Sequence, residues 1–374
     1  EAAIASRETI ASPENNTRLT YDVASGALRL SSAPDGVFLP VEEFVPSSED
    51  DKILTPSARG ETAAINVQTD PALQAKVAEI VKLNNKAVQL NSAGRYSEAL
   101  AYAQQALALA EEALGPNHTS TLALANNVGA ILRALGRYSE AEPIHERVLD
   151  SLERVLGPDH PGTLIAVNNL GALYQAEGRY AEAEPLYIRA YETRKRVLGP
   201  EHRDTLVSEN NLATLYVYQG RYAEAEALFL RTLSVRERTL GYNHPDTLYS
   251  VSNLSALYET QGRHKEALTL AKRAVQAREQ ILGPTHPDTL TSISNLAGVY
   301  ESLGDYVAAI ANYKRALAGF ESILGAQHPY SLAVASNLAY VYQKAGDYAQ
   351  AEASHRRILA DRERMLGPSH PETL

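Results

Sequence analysis

The chain has 374 residues, 35 of them basic and 45 acidic, for a formal charge of −10, and holds no cysteine, no tryptophan and one methionine. Without cysteine there is no disulfide framework, thiolate nucleophile, Fe–S cluster or Cys-ligated zinc. The acidic balance argues against nucleic acid, whose phosphates call for a basic face, and no apolar run approaches the roughly 18–20 residues that cross a bilayer, so neither nucleic-acid binding nor membrane insertion is expected.

Residues 1–70 carry 12 acidic and 5 basic side chains, five prolines and no hydrophobic period. Such a segment reads as largely irregular. A short hairpin is expected where Arg18–Asp22 and Ala27–Leu30 flank Ala24-Ser25-Gly26. Further on, Phe38-Leu39-Pro40-Val41-Glu42-Glu43-Phe44 leads into the acidic stretch ending at Asp51. Tethering gives residues 38–51 a high effective concentration at any groove of the same chain, so docking in cis is an expectation. The chain opens on Glu1 without an initiator methionine, which points to removal of an upstream piece.

From residue 71 the sequence repeats with a period of 42. Leu-Gly recurs from Leu114 to Leu366, each time with a histidine four residues after the Leu: His118, His160, His202, His244, His286, His328 and His370. Asparagine recurs at Asn85, Asn127, Asn169, Asn211, Asn253, Asn295 and Asn337, glycine nine residues later and alanine five further on. Within one unit, Pro161 suits a first helical position, and Leu164, Val167, Leu170, Gly171 and Tyr174 fall on one face of helix A. Gly178 closes that helix and Arg179-Tyr180 lead into helix B, whose apolar stripe is Ala183, Leu186, Tyr187, Ala190 and Tyr191. Leu198-Gly199-Pro200 ends it.

In their order Gly171, Tyr174, Gly178, Tyr180, Ala183 and Ala190 resemble the tetratricopeptide-repeat signature. The 42-residue unit, with Asn168-Asn169-Leu170, Glu182-Ala183-Glu184 and Leu156-Gly157-Pro158-Asp159-His160-Pro161, is similar to the kinesin light chain subtype. The resemblance implies an all-α, right-handed α-solenoid of antiparallel helix pairs over residues 71–374, with seven repeats and the start of an eighth at His370, preceded by the segment 1–70. Repeat one departs from the pattern, with Lys86 where Leu170 stands, as a capping repeat would. An eighth helix A cut off at Leu374 suggests that the array continues in a longer protein.

Function is read from what this architecture leaves over. No Gly-x-x-x-x-Gly-Lys loop, His-Glu-x-x-His or Gly-x-Ser-x-Gly elbow is present, so no catalytic residue, metal ligand or cofactor is expected. The lattice histidines are spread one per repeat and do not converge as metal ligands must; they read as caps closing each link. Tyr174, Tyr216, Tyr258, Tyr300 and Tyr342 read as core. Asn127, Asn169, Asn211, Asn253, Asn295 and Asn337 precede a buried position of helix A and are expected to face the concave surface. A row of amides there could hold the N–H and C=O groups of an extended peptide; the alternative is that they tie helix to helix between repeats. The resemblance implies the peptide contact, since the matching Asn of kinesin light chain is implicated in it. Arg133, Arg194, Arg236, Arg278 and Arg362 are expected at the groove rim, where they could meet acidic ligand groups. A second row, Arg147, Arg189, Arg231, Arg273, Arg315 and Arg357, is expected to pair with nearby Glu. Ala123, Ile165, Val207, Tyr249, Thr291 and Ala333 stand where the family's carboxylate clamp for chaperone tails needs Lys. The expectation is a non-enzymatic scaffold for a protein or extended peptide; the rival is a regulatory array of a larger enzyme, with a caspase-like peptidase or nucleotide-switch ATPase domain beyond residue 374.

Overall fold

The computed structural model describes residues 17–22, 27–32, 52–56, 62–66 and 71–366. Residues 38–51 and the start of the eighth repeat at His370 lie outside them. Ahead of the array stand two antiparallel strand pairs, β1 (Thr17–Asp22) with β2 (Ala27–Ser32) and β3 (Lys52–Pro56) with β4 (Thr62–Asn66). In the first, Leu19 is opposite Leu30 and Asp22 opposite Ala27. The second pair falls in a stretch read from sequence as irregular.

The array is helical throughout. Seven A helices, α1 (Pro71–Ser92), α3 (Thr119–Ala134), α5 (Pro161–Ala176), α7 (Arg203–Tyr218), α9 (Pro245–Thr260), α11 (Pro287–Ser302) and α13 (Pro329–Lys344), alternate with seven B helices. These are α2 (Tyr96–Leu114), α4 (Tyr138–Leu156), α6 (Tyr180–Leu198), α8 (Tyr222–Leu240), α10 (His264–Leu282), α12 (Tyr306–Leu324) and α14 (Tyr348–Leu366). Two compact units form. One comprises residues 35–177 and 185–193, the other 1–34, 178–184 and 194–374. Inside each, consecutive helices pack in chain order as α-solenoid helix pairs, and neighbouring A helices touch: α3 with α5 in the first unit, α9 with α11 and α11 with α13 in the second.

The links show why the sequence folds so regularly. Gly178, between α5 and α6, has φ +77°, and Gly157, after α4, has φ +90°. Side chains rarely adopt that conformation, so the recurring glycines are required by the backbone. Each lattice histidine from His118 to His328 is an N-cap: its backbone is extended and its Nδ1 accepts from the backbone N–H two residues on, at 3.0 Å for His160 and 3.2 Å for His202, His244 and His286. Burial holds the His118 and His160 imidazoles below the usual range, which keeps the accepting nitrogen free of a proton.

The core follows the lattice. Ala99, Ala141, Ala183, Ala225, Ala267 and Ala309 are fully buried, allowing the helices to approach closely, and Tyr174, Tyr216, Tyr258 and Tyr342 are buried beside them. Gly171 lets the Tyr187 ring lie close, since a Cβ there would stand 3.2 Å from its Cε1. The loop arginines complete the A-to-B turns. Arg221 chelates Glu224, reaches Glu184 at 2.6 Å and lies 3.9 Å from the Tyr216 ring centroid; Arg263 repeats this with Glu266, Glu226 and Tyr258. Those hydrogen bonds, to Glu224 and Glu266 first, raise both guanidinium pKa values.

The second arginine row pairs with glutamates, and does so across repeats. Arg147 meets Glu111, Arg189 meets Glu153, Arg273 meets Glu237, Arg315 meets Glu279 and Arg357 meets Glu321, always 36 residues back. Arg231 is the exception. Lys195 stands 36 residues before it, and Arg231 turns instead to Glu209, a carboxylate with no exposed surface that also accepts from Thr232 Oγ1 at 2.8 Å.

Candidate functional site

The A helices carry the amide row, and packing places it deeper than an exposed helical position would. Asn127, Asn169, Asn211, Asn253 and Asn337 are between 0% and 6% exposed; Asn295 is half-buried and the lattice member of the capping repeat, Asn85, is exposed. The neighbouring A helix covers them. Asn127 Nδ2 donates to Asn84 Oδ1 at 3.1 Å, Asn169 Nδ2 to Asn126 Oδ1 at 2.8 Å and Asn253 Nδ2 to Asn210 Oδ1 at 2.7 Å, in each case 43 residues back. These bonds tie repeat to repeat, the alternative that the sequence left open.

Each bond uses only half of the two amides. Asn84 Nδ2, Asn126 Nδ2 and Asn169 Oδ1 are buried without a hydrogen-bond partner among the described residues. A buried polar atom left unpaired costs about 1–3 kcal/mol. So the Asn126–Asn169 pair, within one unit, offers one spare N–H donor and one spare carbonyl acceptor. That is the complement of a peptide group.

The arginines expected at the rim are mostly inside. Arg194, Arg236 and Arg278 are 6%, 3% and 5% exposed. Arg194 Nη1 donates to Ser208 Oγ at 2.7 Å; Arg236 Nη1 donates to Ser250 Oγ at 2.8 Å and to the Asp246 carbonyl at 3.0 Å; Arg278 Nη1 donates to Ser252 Oγ at 3.1 Å and to Ser292 Oγ. Burial pushes all three guanidinium pKa values down. The serines at 208, 250 and 292 are themselves one lattice position, and their hydroxyls accept the N–H groups that would otherwise be orphaned inside. Arg133 and Arg362 stay half-buried, and Arg362 Nη2 donates to Ser336 Oγ at 3.4 Å.

Two features near the A helices escaped the sequence reading. In the second unit, strand β2 runs against α9, α11 and α13. The other is a small cleft in the same unit, lined by Ser252, Ser255, Ala256 and Glu259 of α9, by Ser292, Ser294, Asn295, Gly298 and Val299 of α11, by Ala271 and Ala274 of α10 and by Tyr313 of α12. Its sequence signal was the lattice itself, for Ala271 occupies the position of Tyr187, Phe229 and Tyr313. Among the described residues no cluster of three His, Asp or Glu could hold a metal ion, and no helix is long and apolar enough to cross a membrane.

Comparison with known proteins places this architecture. A search of curated protein sequences returns no match. Among solved structures, the kinesin light chain TPR-like repeats of Podosopora anserina are similar at 28% identity, covering 55% of this chain and 97% of that one, with a TM-score of 0.47. The apo quorum sensor NprR of B. thuringiensis is similar at 15% identity over 76% of this chain and 77% of that one, TM-score 0.55, and NprR in complex with its cognate peptide NprX at 12% identity over 80% and 84%, TM-score 0.56. The tetratricopeptide-repeat profile matches residues 79–153, 120–176, 164–238, 208–280, 249–322 and 288–364 in overlapping succession. With the period, the caps and the paired helices, a match over most of its length means that the chain belongs to the tetratricopeptide-repeat family.

Proposed function

We propose that the array is a non-enzymatic scaffold that binds an extended peptide along its A helices. The observation that carries this reading is the half-satisfied amide pair. Asn126 Nδ2 and Asn169 Oδ1 have no partner among the described residues, and a ligand C=O and N–H would supply one each. Both side chains are buried in the ligand-free chain, so they turn outward to meet the ligand backbone. Two further facts support it. Strand β2, an extended backbone of this same chain, runs against α9, α11 and α13, and NprR, which shares the fold, was solved with its cognate peptide.

In this reading Asn127, Asn169 and Asn253, which tie the repeats together, and Asn211, Asn295 and Asn337 address the ligand backbone. Arg133, with its side chain half-buried, meets acidic ligand groups. The buried Arg194, Arg236 and Arg278 set a positive field behind the A helices, bonded to hydroxyls.

The test is peptide capture by the full chain on a random peptide display, followed by titration of the captured sequence against Asn169→Ala and, as a control on the exposed lattice position, Asn85→Ala. Asn169→Ala should lose about tenfold in affinity, roughly 1.4 kcal/mol, with Asn85→Ala unchanged. An unchanged affinity with a lowered melting temperature would leave the row as architecture only.

A further inference from the structure

We infer that the β1–β2 hairpin is the resident occupant of the A-helix surface formed by α9, α11 and α13, and that an external extended peptide binds there only by displacing it. The inference rests on the peptide-binding reading for the nature of the displacing ligand.

Outside its own hairpin, β2 makes its extensive contacts with α9, α11 and α13, the A helices of three successive repeats, and not with the B helices between them. It therefore lies across the surface that the A helices present. The dimensions agree. Six extended residues, Ala27–Ser32, span about 20 Å, and three neighbouring helices packed roughly 10 Å apart cover the same distance. One strand of this length bridges all three helices, and a ligand backbone addressing the same three needs the same place.

The surface beneath is closed while the strand is there. From Asp288 to Val299 every residue of α11 is buried except the half-buried Asn295, whereas its partner α12 buries one stripe, Ala309, Tyr313, Ala316 and Phe320. Small polar side chains are among those covered: Thr291, Ser292 and Ser294 are 4%, 2% and 2% exposed. Little of α11 is left for a ligand to touch.

The contact is also one that can let go. The hairpin belongs to the compact unit that contains residues 194–374, although residues 35–177, which lie between them in sequence, fold into the other unit. Its two strands pair only with each other, Leu19 opposite Leu30 and Tyr21 opposite Leu28. An isolated two-stranded hairpin is marginal in water, so β1–β2 draws its order from the helices it rests on and loses that order once displaced. The tether keeps its effective concentration high. A competing ligand then binds with an apparent affinity reduced in proportion to the fraction of molecules whose hairpin is undocked.

The probe is a fluorescein-labelled synthetic copy of residues 17–32, titrated into the full chain and into the full chain carrying Arg29→Pro with Leu30→Pro. Adjacent strand residues turn their N–H groups to opposite edges, so the two prolines remove a donor from each edge of β2. The copy should bind the proline variant about tenfold or more tighter than the native chain, the factor for a hairpin docked in roughly nine molecules of ten, with the helical circular dichroism unchanged. Should the prolines lower the helical signal, Leu28→Gly with Leu30→Gly weakens the strand more gently. Equal affinity for native and variant chains, or no saturable binding to the variant, overturns the proposal. In the native chain, amide exchange at residues 27–32 should quicken when a peptide captured by display is added to saturation; unchanged protection overturns the displacement. The labelled copy needs no captured peptide, so the two readings fail separately: equal affinity for both chains, with captured-peptide binding still sensitive to Asn169→Ala, removes the hairpin's role and leaves the amide reading standing.

Discussion

Arg231 reaches 22 residues back along the chain to hold both carboxylate oxygens of Glu209 with one guanidinium nitrogen, at 2.5 and 2.6 Å. Glu209 occupies a slot where the lattice elsewhere has Ala125, Val167, Val251, Ile293 and Ala335, so a charge has replaced an apolar core residue. It is kept inside by Arg231 and Thr232 together.

Breaking this pair from one side should be severe. Arg231→Ala strands a buried carboxylate and is expected to lower stability by about 3–5 kcal/mol, whereas the combined change Glu209→Val with Thr232→Ala, which restores residues used in other repeats, should be neutral or stabilising. Denaturant unfolding followed by circular dichroism distinguishes them. Equal losses in both variants would mean that the network sets the geometry of the repeat rather than merely satisfying its own charge.

His145 supplies a pH dependence of known sign. It is 1% exposed, and burial first, with the Arg133 charge second, pushes its pKa down to about 3. The unfolded chain therefore takes up a proton near pH 6.5 that the folded chain refuses. Stability is full above that pH and declines as pH falls toward 3, by at most about 1.4 kcal/mol per pH unit for this one group. His145→Tyr, the residue found at 187, should flatten that slope when melting temperature is followed from pH 7 to pH 4.

His118 and His160 act in the same direction. An Nδ1 that accepts from a backbone N–H cannot do so once protonated, and His118 and His160 already have lowered pKa values. His244→Ala should cost about 1 kcal/mol and expose the Asp246 amide to exchange, while His244→Asn should retain most of the cap. Amide hydrogen exchange at Asp246 is the direct readout; protection unchanged in His244→Ala would show that the cap contributes nothing there.

In the second repeat a small A-helix residue faces a ring on helix B. A Cβ on Gly129 would come within 2.7 Å of His145 Nε2, so Gly129→Ala should destabilise by about 1–3 kcal/mol. Adding His145→Ala removes the clash and reproduces the Ala87 and Ala103 combination of the first repeat. Its cost should then be less than the sum of the two single changes, a coupling that a double-mutant cycle measures.

Most of the architecture was legible because it is written seven times. Pro161, Gly178 and His160 each act through local backbone chemistry, so their roles survive without knowledge of neighbours, whereas the 36-residue register of the Arg–Glu pairs emerged only with the packing of one repeat on the next. Depth was not legible. A residue one step before Leu170 looks exposed on an isolated helix, and only the adjacent A helix buries Asn169 and gives its Nδ2 to Asn126. Arg194, Arg236 and Arg278 misled for a related reason: a charge near a helix end suggests solvent, yet the hydroxyls of Ser208, Ser250 and Ser292 make an interior position tolerable. Where the lattice broke, at Glu209 and Ala271, the signal was present as an exception to the period.

The Arg–Glu rung repeats with the array, so it cannot tell one junction from the next. A nascent chain pairing its helices 42 residues out of step would still find a Glu for nearly every Arg, and near-copies of one unit make such misassembly a standing hazard of repeat proteins. Lys195 alters that. Should Arg273 slip back by one repeat, it meets a like charge at 195 instead of Glu237, and the mispaired state is repelled. One lysine out of place gives an otherwise degenerate array an address.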